Sequence, residues 1–482
     1  MLKKKYIRYA IIGIVLFLIF FFILGFLGKK NMGGRLIIDY PEVSKNAKYD
    51  ERIFDSEYMH EVNITIAKND WKDLVDNALD KMNYKVSVSI DGINFDNVSF
   101  RTKGNSSLKS IVNGPSDGPA STRFSYQLDF NKYDKNQTYY GLDTLNLNNI
   151  FGDATYMNDH VSYYLFKKMG VPAPLDSYVY LKINNRPVGI YSAVEEISDS
   201  FLKRNNLDGN LYKPAKTSGR DYGVSLSYSG SKTTNYSGIF SNSKSDITMD
   251  DEIRLVNSLK LLNSNHKIDS VVDVDEVIRY FAVHNFLLSY DSYTGKSIHN
   301  YYLLEKDGKM TMLPWDYNLA FGRFNMLDSA ENYTKYYDMN TIVNYGIDSP
   351  VCMATNEERP MWNWILNNGV YLEKYHQVMN ELVTNYLETG ELEKMINSNY
   401  SMLEPYLKYD YTAFYTSDQT KEAVDTLKSF CNNRTKSIRL QLDGKLSTIS
   451  SSQDKAAQVD SSSIDLNKMG FVADDNNRQN EN

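Results

Sequence analysis

Three side chains suited to holding and moving phosphate lie between residues 291 and 316: Asp291, Asn300 and Asp316. A carboxylate and an amide oxygen brought together make a hard-oxygen site of the kind Mg²⁺ takes, completed by substrate phosphates. A carboxylate just upstream is placed to act as a base or to orient a hydroxyl. Between them runs "HNYYLLEKDGKMTMLPWDYNLAFG", residues 299–322, two apolar strands around Asp307-Gly308. That dipeptide is a strong two-residue hairpin signal, because both positions accept positive φ. A turn there sets Lys306 opposite Lys309, Tyr302 opposite Leu313 and His299 opposite Asp316, with Asn300 one step away. In strict register Asn300 and Asp316 point to opposite faces. Their convergence requires a bulge or a frayed end at Pro314-Trp315, where Pro314 cannot donate to the ladder. With convergence, the set matches phosphoryl transfer: a catalytic Asp, an Asn metal ligand, a hairpin, then a metal-binding Asp. Asp and Asn are also ordinary turn and cap residues, and Asp316 could merely cap "YNLAFG". Spacing alone leaves both readings open.

Two further stretches carry charge beside strand-like segments. "RTKGNSSLKS" ends a strand with Arg101 and Lys103 before a glycine and small polar residues, a setting in which backbone amides can approach phosphate, or else a solvated loop. "YSAVEEI" ends an apolar strand with Glu195-Glu196, where one carboxylate is a candidate hydrogen-bond acceptor. Other chemistries find little support. There is no G-x-S-x-G elbow, and the histidines at 60, 160, 266, 284, 299 and 376 form no H-x-x-x-H pair. "TGKS" at 294–297 imitates the end of a phosphate-binding loop, but Tyr290 stands where its first glycine belongs.

The elements that must position these groups can be sketched from pattern. The 482 residues carry a net charge of −7 without a basic stripe, which argues against a nucleic-acid partner. The 38 tyrosines read as compositional bias rather than as a glycan-binding surface. Lys3, Lys4, Lys5 and Arg8 precede an uncharged apolar run, Tyr9 to Gly28, closed by Lys29 and Lys30. At about 1.5 Å per residue it spans roughly 30 Å, a bilayer core. With no small-residue cleavage site after it, residues 1–30 read as an uncleaved signal anchor, N-terminus inside and the rest outside. Residues 31–50 are a connector. Cys352 and Cys431 could pair after export, but read equally as unpaired buried thiols. Strand patterns dominate to about residue 197, with hairpin signals at Asp91-Gly92 and Asn184-Asn185. Residues 215–250 read as a long loop, the remainder to 445 as mainly helical, and 446–482 as a disordered polar tail. The exported part, 51–445, is α+β and compatible with two lobes, about 51–197 and 198–445.

"RTKGNSS", "LDFNKY…YGLDTLNLNN", "YLFKKMGVPAPLDSYVYLKINNRPVGIYSAVEEI", "GNLYKP", "DSYTG…HNYYLL" and "LPWDYNLAFG" resemble, in order, the motifs of the spore coat protein H (CotH) family, across roughly residues 55–440. The resemblance implies an atypical protein-kinase-like fold. It also implies ATP and Mg²⁺ or Mn²⁺ as cofactors, and Ser/Thr of an envelope or coat protein as substrate. By position it makes Asp291 the catalytic-loop aspartate, Asp316 the metal-binding aspartate and Asn300 the amide before the hairpin. Arg101 and Lys103 fall in a phosphate-facing loop, Glu195 and Glu196 where adenine contacts occur, and Trp315 where it could stack on a base. Asp159 stands where many relatives have Glu, as an acidic partner for a phosphate-binding cation. The alternative implied is a kinase-like envelope or coat scaffold without activity.

Overall fold

The computed structural model describes residues 48–114, 121–216, 220–324 and 339–470. The expected membrane anchor and the connector as far as residue 47 lie outside them. Among the described residues no helix is long and apolar enough to cross a membrane.

Strands β1 (His60–Thr65), β2 (Tyr84–Ile90), β3 (Ile93–Lys103), β4 (Ser125–Asp129), β5 (Thr144–Asn148), β6 (Asp176–Ile183) and β7 (Arg186–Glu195) close into a barrel in the order β1-β2-β3-β4-β5-β7-β6. Parallel pairing of β1 with β6, Val179 beside His60, closes the ring; its other pairs are antiparallel. Asp91-Gly92 (φ 47° and 81°) and Asn184-Asn185 (φ 50° and 60°) form the tight turns their sequence indicated. Side chains alternate across the wall. Phe100, Tyr126, Leu128, Leu145, Leu147, Tyr191 and Ala193 share one buried apolar cluster. The residues between them, Arg101, Lys103, Gln127, Asn146, Asn148 and Ser192, therefore occupy the other face. Every pair on that face is fixed by register: Arg101 beside Gln127, Gln127 beside Asn146, Lys103 beside Ser125 and Asn148 beside Ser192.

The principal helices are α1 (Lys68–Asp76), α2 (Ser106–Asn113), α3 (Asn158–Lys168), α4 (Asp199–Arg204), α5 (Met249–Asn263), α6 (Val274–Leu287), α7 (Pro360–Leu366), α8 (Gly369–Leu382), α9 (Glu391–Leu407) and α10 (Ser417–Leu442). Six of them follow residue 245, so the chain is strand-rich first and helical later, as its pattern indicated. β8 (Asn210–Tyr212), β9 (Tyr301–Lys306) and β10 (Lys309–Pro314) make a separate sheet in the order β10-β9-β8. The β9–β10 hairpin turns at Asp307-Gly308 (φ 53° and 87°) in the expected register, Tyr302 beside Leu313. Its ladder stops at Tyr301–Pro314. Asn300 (φ 56°) and Asp316 (φ 59°) are both left-handed, so the two strands break away at the same level.

Two expectations give way. The described part of the 215–250 stretch is irregular yet packed: Val224, Leu226, Tyr236 and Ile239 are fully buried. Its carbonyls accept from two phenols in and before the β9–β10 hairpin, Tyr301 Oη on Val224 O (2.6 Å) and Tyr293 Oη on Ser225 O (2.9 Å). Residues 446–470 of the expected disordered tail are packed, and the rest of it lies outside the described residues. Leu446, Ile464, Leu466 and Met469 are buried, and Met469 O accepts from Ala154 N at 2.9 Å. Asp454 and Asp465 cap short turns there with their side chains. Leu446 at one end and the cluster Ile464, Leu466 and Met469 at the other, the last two in a turn packed against α10, hold a segment whose polar composition suggests disorder. Cys352 and Cys431 are both buried and are not joined in a disulfide.

Candidate active site

A cleft partly open to solvent lies on the polar face of the barrel wall. Lys103, Ser125, Asn148, Ser192 and Val194 line it from the barrel; Asp159 and Tyr163 of α3 line it together with Trp315 and Asp316. The left-handed turn at Asp316 delivers two successive backbone N–H groups to α3. Asp316 N donates to Tyr163 Oη at 3.0 Å, and Tyr317 N donates to Asp159 Oδ1 at 2.7 Å. Helix α3 thus sets the position of the Asp316 carboxylate. Burial, together with the charge of Asp316, pushes the Asp159 pKa well above the usual carboxylate range. Lys103 Nζ donates to Asn148 Oδ1 at 2.8 Å; burial lowers its pKa against the pull of Glu196, Asp316 and Asp159.

Among the described residues, no three His, Cys, Asp or Glu side chains are grouped to hold a metal ion. The Asp159–Asp316 pair nevertheless fits Mg²⁺ or Mn²⁺. Such an ion needs only one or two protein carboxylates and fills its remaining positions with water and substrate phosphates. Two adjacent carboxylates, one of them poorly solvated, are the donor set that a divalent cation would relieve.

Glu196, just past β7, is linked to this cleft through the charge of Lys103. Asn146 Nδ2 donates to its Oε2 at 2.7 Å and Tyr302 Oη to its Oε1 at 2.9 Å. Burial opposes its charge, yet Lys213 and Lys103 hold its pKa below the ordinary value. Burial brings Lys213 down to about 8, partly offset by Glu196. The two ammonium groups lie 5.5 Å (Lys103) and 4.8 Å (Lys213) from the centre of the Trp315 ring, which also meets Tyr302 edge-on. Arg101 touches the same network only indirectly, through Gln127 Oε1 at 2.6 and 3.1 Å. Glu195, one residue earlier on the strand, faces the opposite way. It pairs with Arg204 of α4 at 2.6 and 3.1 Å and accepts from Tyr49 Oη and Leu175 N.

A second polar group surrounds Asp291. His299 Nε2 lies 3.1 Å from Asp291 Oδ1, and Asn300 Nδ2 donates to Asp291 Oδ2 at 3.1 Å. The loop between them is braced from the helical half. Buried Arg359 donates to Tyr293 O (2.8 Å) and Gly295 O (2.7 Å), and Cys352 N donates to Thr294 O (2.9 Å). A Cβ at Gly295 would stand 1.7 Å from Tyr290 O, so only glycine closes this loop.

The sequence matches the CotH kinase protein family over residues 100–438, well over half of the chain. The chain belongs to the CotH family. It is similar to "Inner spore coat protein H" of Bacillus subtilis (strain 168), 20% identical over 310 residues that cover 63% of this chain and 79% of the relative.

In this CotH-family chain the side chains singled out from sequence fall into separate places. Lys103, Trp315 and Asp316 line the cleft, and Glu196 is linked to it. Asn300 lies against Asp291 instead of joining Asp316, because the left-handed break turns the two strand ends separately. Neither Asp291 nor Asn300 is among the described residues lining the cleft. Lys213 and Tyr302 went unassigned although they sit in "GNLYKP" and "HNYYLL". Lys213 follows a strand of three residues, too short for its alternation to show a face.

Proposed function

We propose that this CotH-family chain is a protein kinase that transfers the γ-phosphoryl group of ATP to Ser or Thr of an exported, envelope or spore-coat protein. The observation that carries the reading is the pairing of Asp316 with Asp159 beside Lys103 in one cleft. Asp316, with Asp159, would hold Mg²⁺ or Mn²⁺, and Lys103 would face the phosphates. The metal supplies neutralisation of phosphate charge during transfer. Asp291, oriented by His299 and Asn300, would take the proton of the acceptor hydroxyl as its oxygen bonds to phosphorus and ADP leaves. Asn300 is thereby a partner of the base and not a second metal ligand. Glu196, Arg101 and Trp315 would shape the nucleotide side of the cleft, while Glu195 serves the core. The strand-rich and helical halves would be the two lobes of an atypical kinase fold, with the apolar run 9–28 as its membrane anchor. The spore-coat name of the Bacillus subtilis relative supports an envelope or coat setting.

Label transfer from γ-³²P-ATP to dephosphorylated casein with Mg²⁺ or Mn²⁺ tests the proposal. Incorporation is expected for the wild type and is expected to vanish with EDTA, Asp316→Ala or Asp291→Ala. Transfer that survives either substitution sinks the assignment. A second reading, a kinase-like scaffold that retains nucleotide without transferring phosphate, is favoured by the absence of Asp291 from the described cleft lining. Metal-dependent ATP binding without any transfer selects that reading.

A further inference from the structure

Helix α6 is apolar along almost its whole buried surface, yet its last turn carries an enclosed histidine. Val277, Ile278, Phe281, Ala282, Val283, Phe286 and Leu287 are fully buried, and His284 is 1% exposed among them. Its two ring nitrogens reach two different loops. Nδ1 lies 2.8 Å from Tyr317 Oη and Nε2 lies 2.7 Å from Thr294 Oγ1. Tyr317 follows Asp316 directly and gives its backbone N–H to Asp159. Thr294 sits three residues after Asp291, and its carbonyl is taken by Cys352 N. The ring is also stacked on Tyr280, 5.6 Å between centroids at 11°, and Tyr317 Oη donates on to Tyr280 Oη at 3.3 Å. Backbone bonds finish the joint: Phe321 N and Gly322 N donate to Leu287 O (2.5 Å) and Leu288 O (3.1 Å) at the end of the helix.

We infer that His284 is a positioning residue that ties the Asp291 loop to the Asp316 turn, so that the two carboxylates move as one unit. The inference rests on the kinase reading for its consequence in catalysis, but the link itself is a property of the fold. Burial brings the imidazole pKa down to about 3, so the ring is neutral, with one N–H donor and one lone pair. Because Tyr317 Oη donates to Tyr280, it accepts from Nδ1–H, and Nε2 accepts from the Thr294 hydroxyl. Both nitrogens are satisfied only while both hydroxyls are present, and removing either leaves a buried ring nitrogen unpaired. A histidine kept merely for packing has no need of a partner on each of the two loops that carry the candidate carboxylates.

The test uses the shape-conserving variants Tyr317→Phe and Thr294→Val, because loss of the ring itself risks the fold. Hydrogen exchange is followed in residues 289–297 and 315–322, and kcat and KM for ATP are measured with Mg²⁺ and casein. Tyr317→Phe is expected to speed exchange in 289–297 about 10-fold, and Thr294→Val to do the same in 315–322, across the link in each case. Thr294→Val is expected to lower kcat on the order of 10-fold with KM for ATP unchanged, since no cleft side chain is touched. The double variant loses no more than the worse single, because both cut one connection. Exchange changes confined to the mutated segment, or losses in kcat that multiply in the double variant, overturn the inference. If the wild type transfers no phosphate, the kinase reading fails, while the exchange across His284 still decides the link.

Discussion

Asp316 and Asp291 stand near the same end of one hairpin, and they are held in different ways. Asp316 lies at a left-handed turn whose backbone is gripped by Tyr163 and Asp159 of α3, against the barrel wall. Asp291 is oriented by its own sequence neighbours, His299 and Asn300, on a loop braced by Arg359 and Cys352 from the helical half. The first arrangement concentrates negative charge beside a lysine, which suits a cation and phosphates. The second presents one carboxylate with two hydrogen-bonding companions, which suits a single proton. In the kinase reading, the candidate metal side would be steadied by α3 and the barrel wall, and the candidate base by the helical half.

Substitutions can separate these two stations. Asp316→Asn removes the charge while keeping the turn, and is expected to lower phosphotransfer on the order of 10³-fold and to weaken metal-linked nucleotide binding. Asp291→Asn is expected to lower transfer on the order of 10²-fold or more while leaving that binding intact, which calorimetry beside the kinase assay distinguishes. Equal loss of binding in both variants would erase the distinction drawn above. Adjacent Glu195 and Glu196 give the same contrast within one strand. Glu195→Gln leaves Arg204 short of a charged partner and is expected to cost about 3 kcal/mol in denaturant unfolding, with activity per folded molecule kept. Glu196→Gln is expected to do the reverse, lowering activity with little change in the unfolding midpoint. Gly295→Ala forces a methyl onto Tyr290 O. It should cost roughly 1–3 kcal/mol and reduce kcat while sparing metal-linked nucleotide binding, since it disturbs only the Asp291 loop.

The smallest effect concerns the base of the hairpin. Glu276 of α6 is buried, accepts from Thr311 Oγ1 and Met312 N, and burial raises its pKa from 4.5 to about 8. Because the folded state holds this proton more tightly than the unfolded chain, its contribution to stability is complete below pH 4.5. It declines as pH rises towards 8. Glu276→Gln, which keeps an acceptor for Thr311, is expected to flatten that part of the stability–pH curve; an unchanged slope contradicts the assignment.

How much of this was legible in the sequence follows from the range of the forces involved. The turns at Asp91-Gly92, Asn184-Asn185 and Asp307-Gly308 are local, so two residues suffice to announce them. A break in the ladder beside Pro314 was the condition for Asn300 to meet Asp316; the ladder does end there, yet Asn300 meets Asp291 instead. What the break does was not legible. It sends Asn300 to Asp291 and Asp316 to α3, a choice made by Tyr163 and Asp159 more than a hundred residues away. Closure of the barrel depends on β1 pairing with β6, equally distant in sequence and unmarked by any pattern. Glu195 and Glu196 looked equivalent because the end of a strand does not reveal which side is core. Residues 446–470 looked disordered because their composition is polar and the one short apolar cluster, Ile464, Leu466 and Met469, is too brief to announce a packed element, although each is buried.

In the proposed kinase, the cleft between the barrel wall and α3 would bind nucleotide through a metal held by Asp316 and Asp159. Calorimetric titration of the protein with ATP, with and without Mg²⁺, measures this directly in the wild type and in Asp316→Asn. The account predicts ATP binding that strengthens at least 10-fold with Mg²⁺ in the wild type and loses that gain in the variant. Binding indifferent to Mg²⁺, or a Mg²⁺ gain that persists in Asp316→Asn, contradicts it.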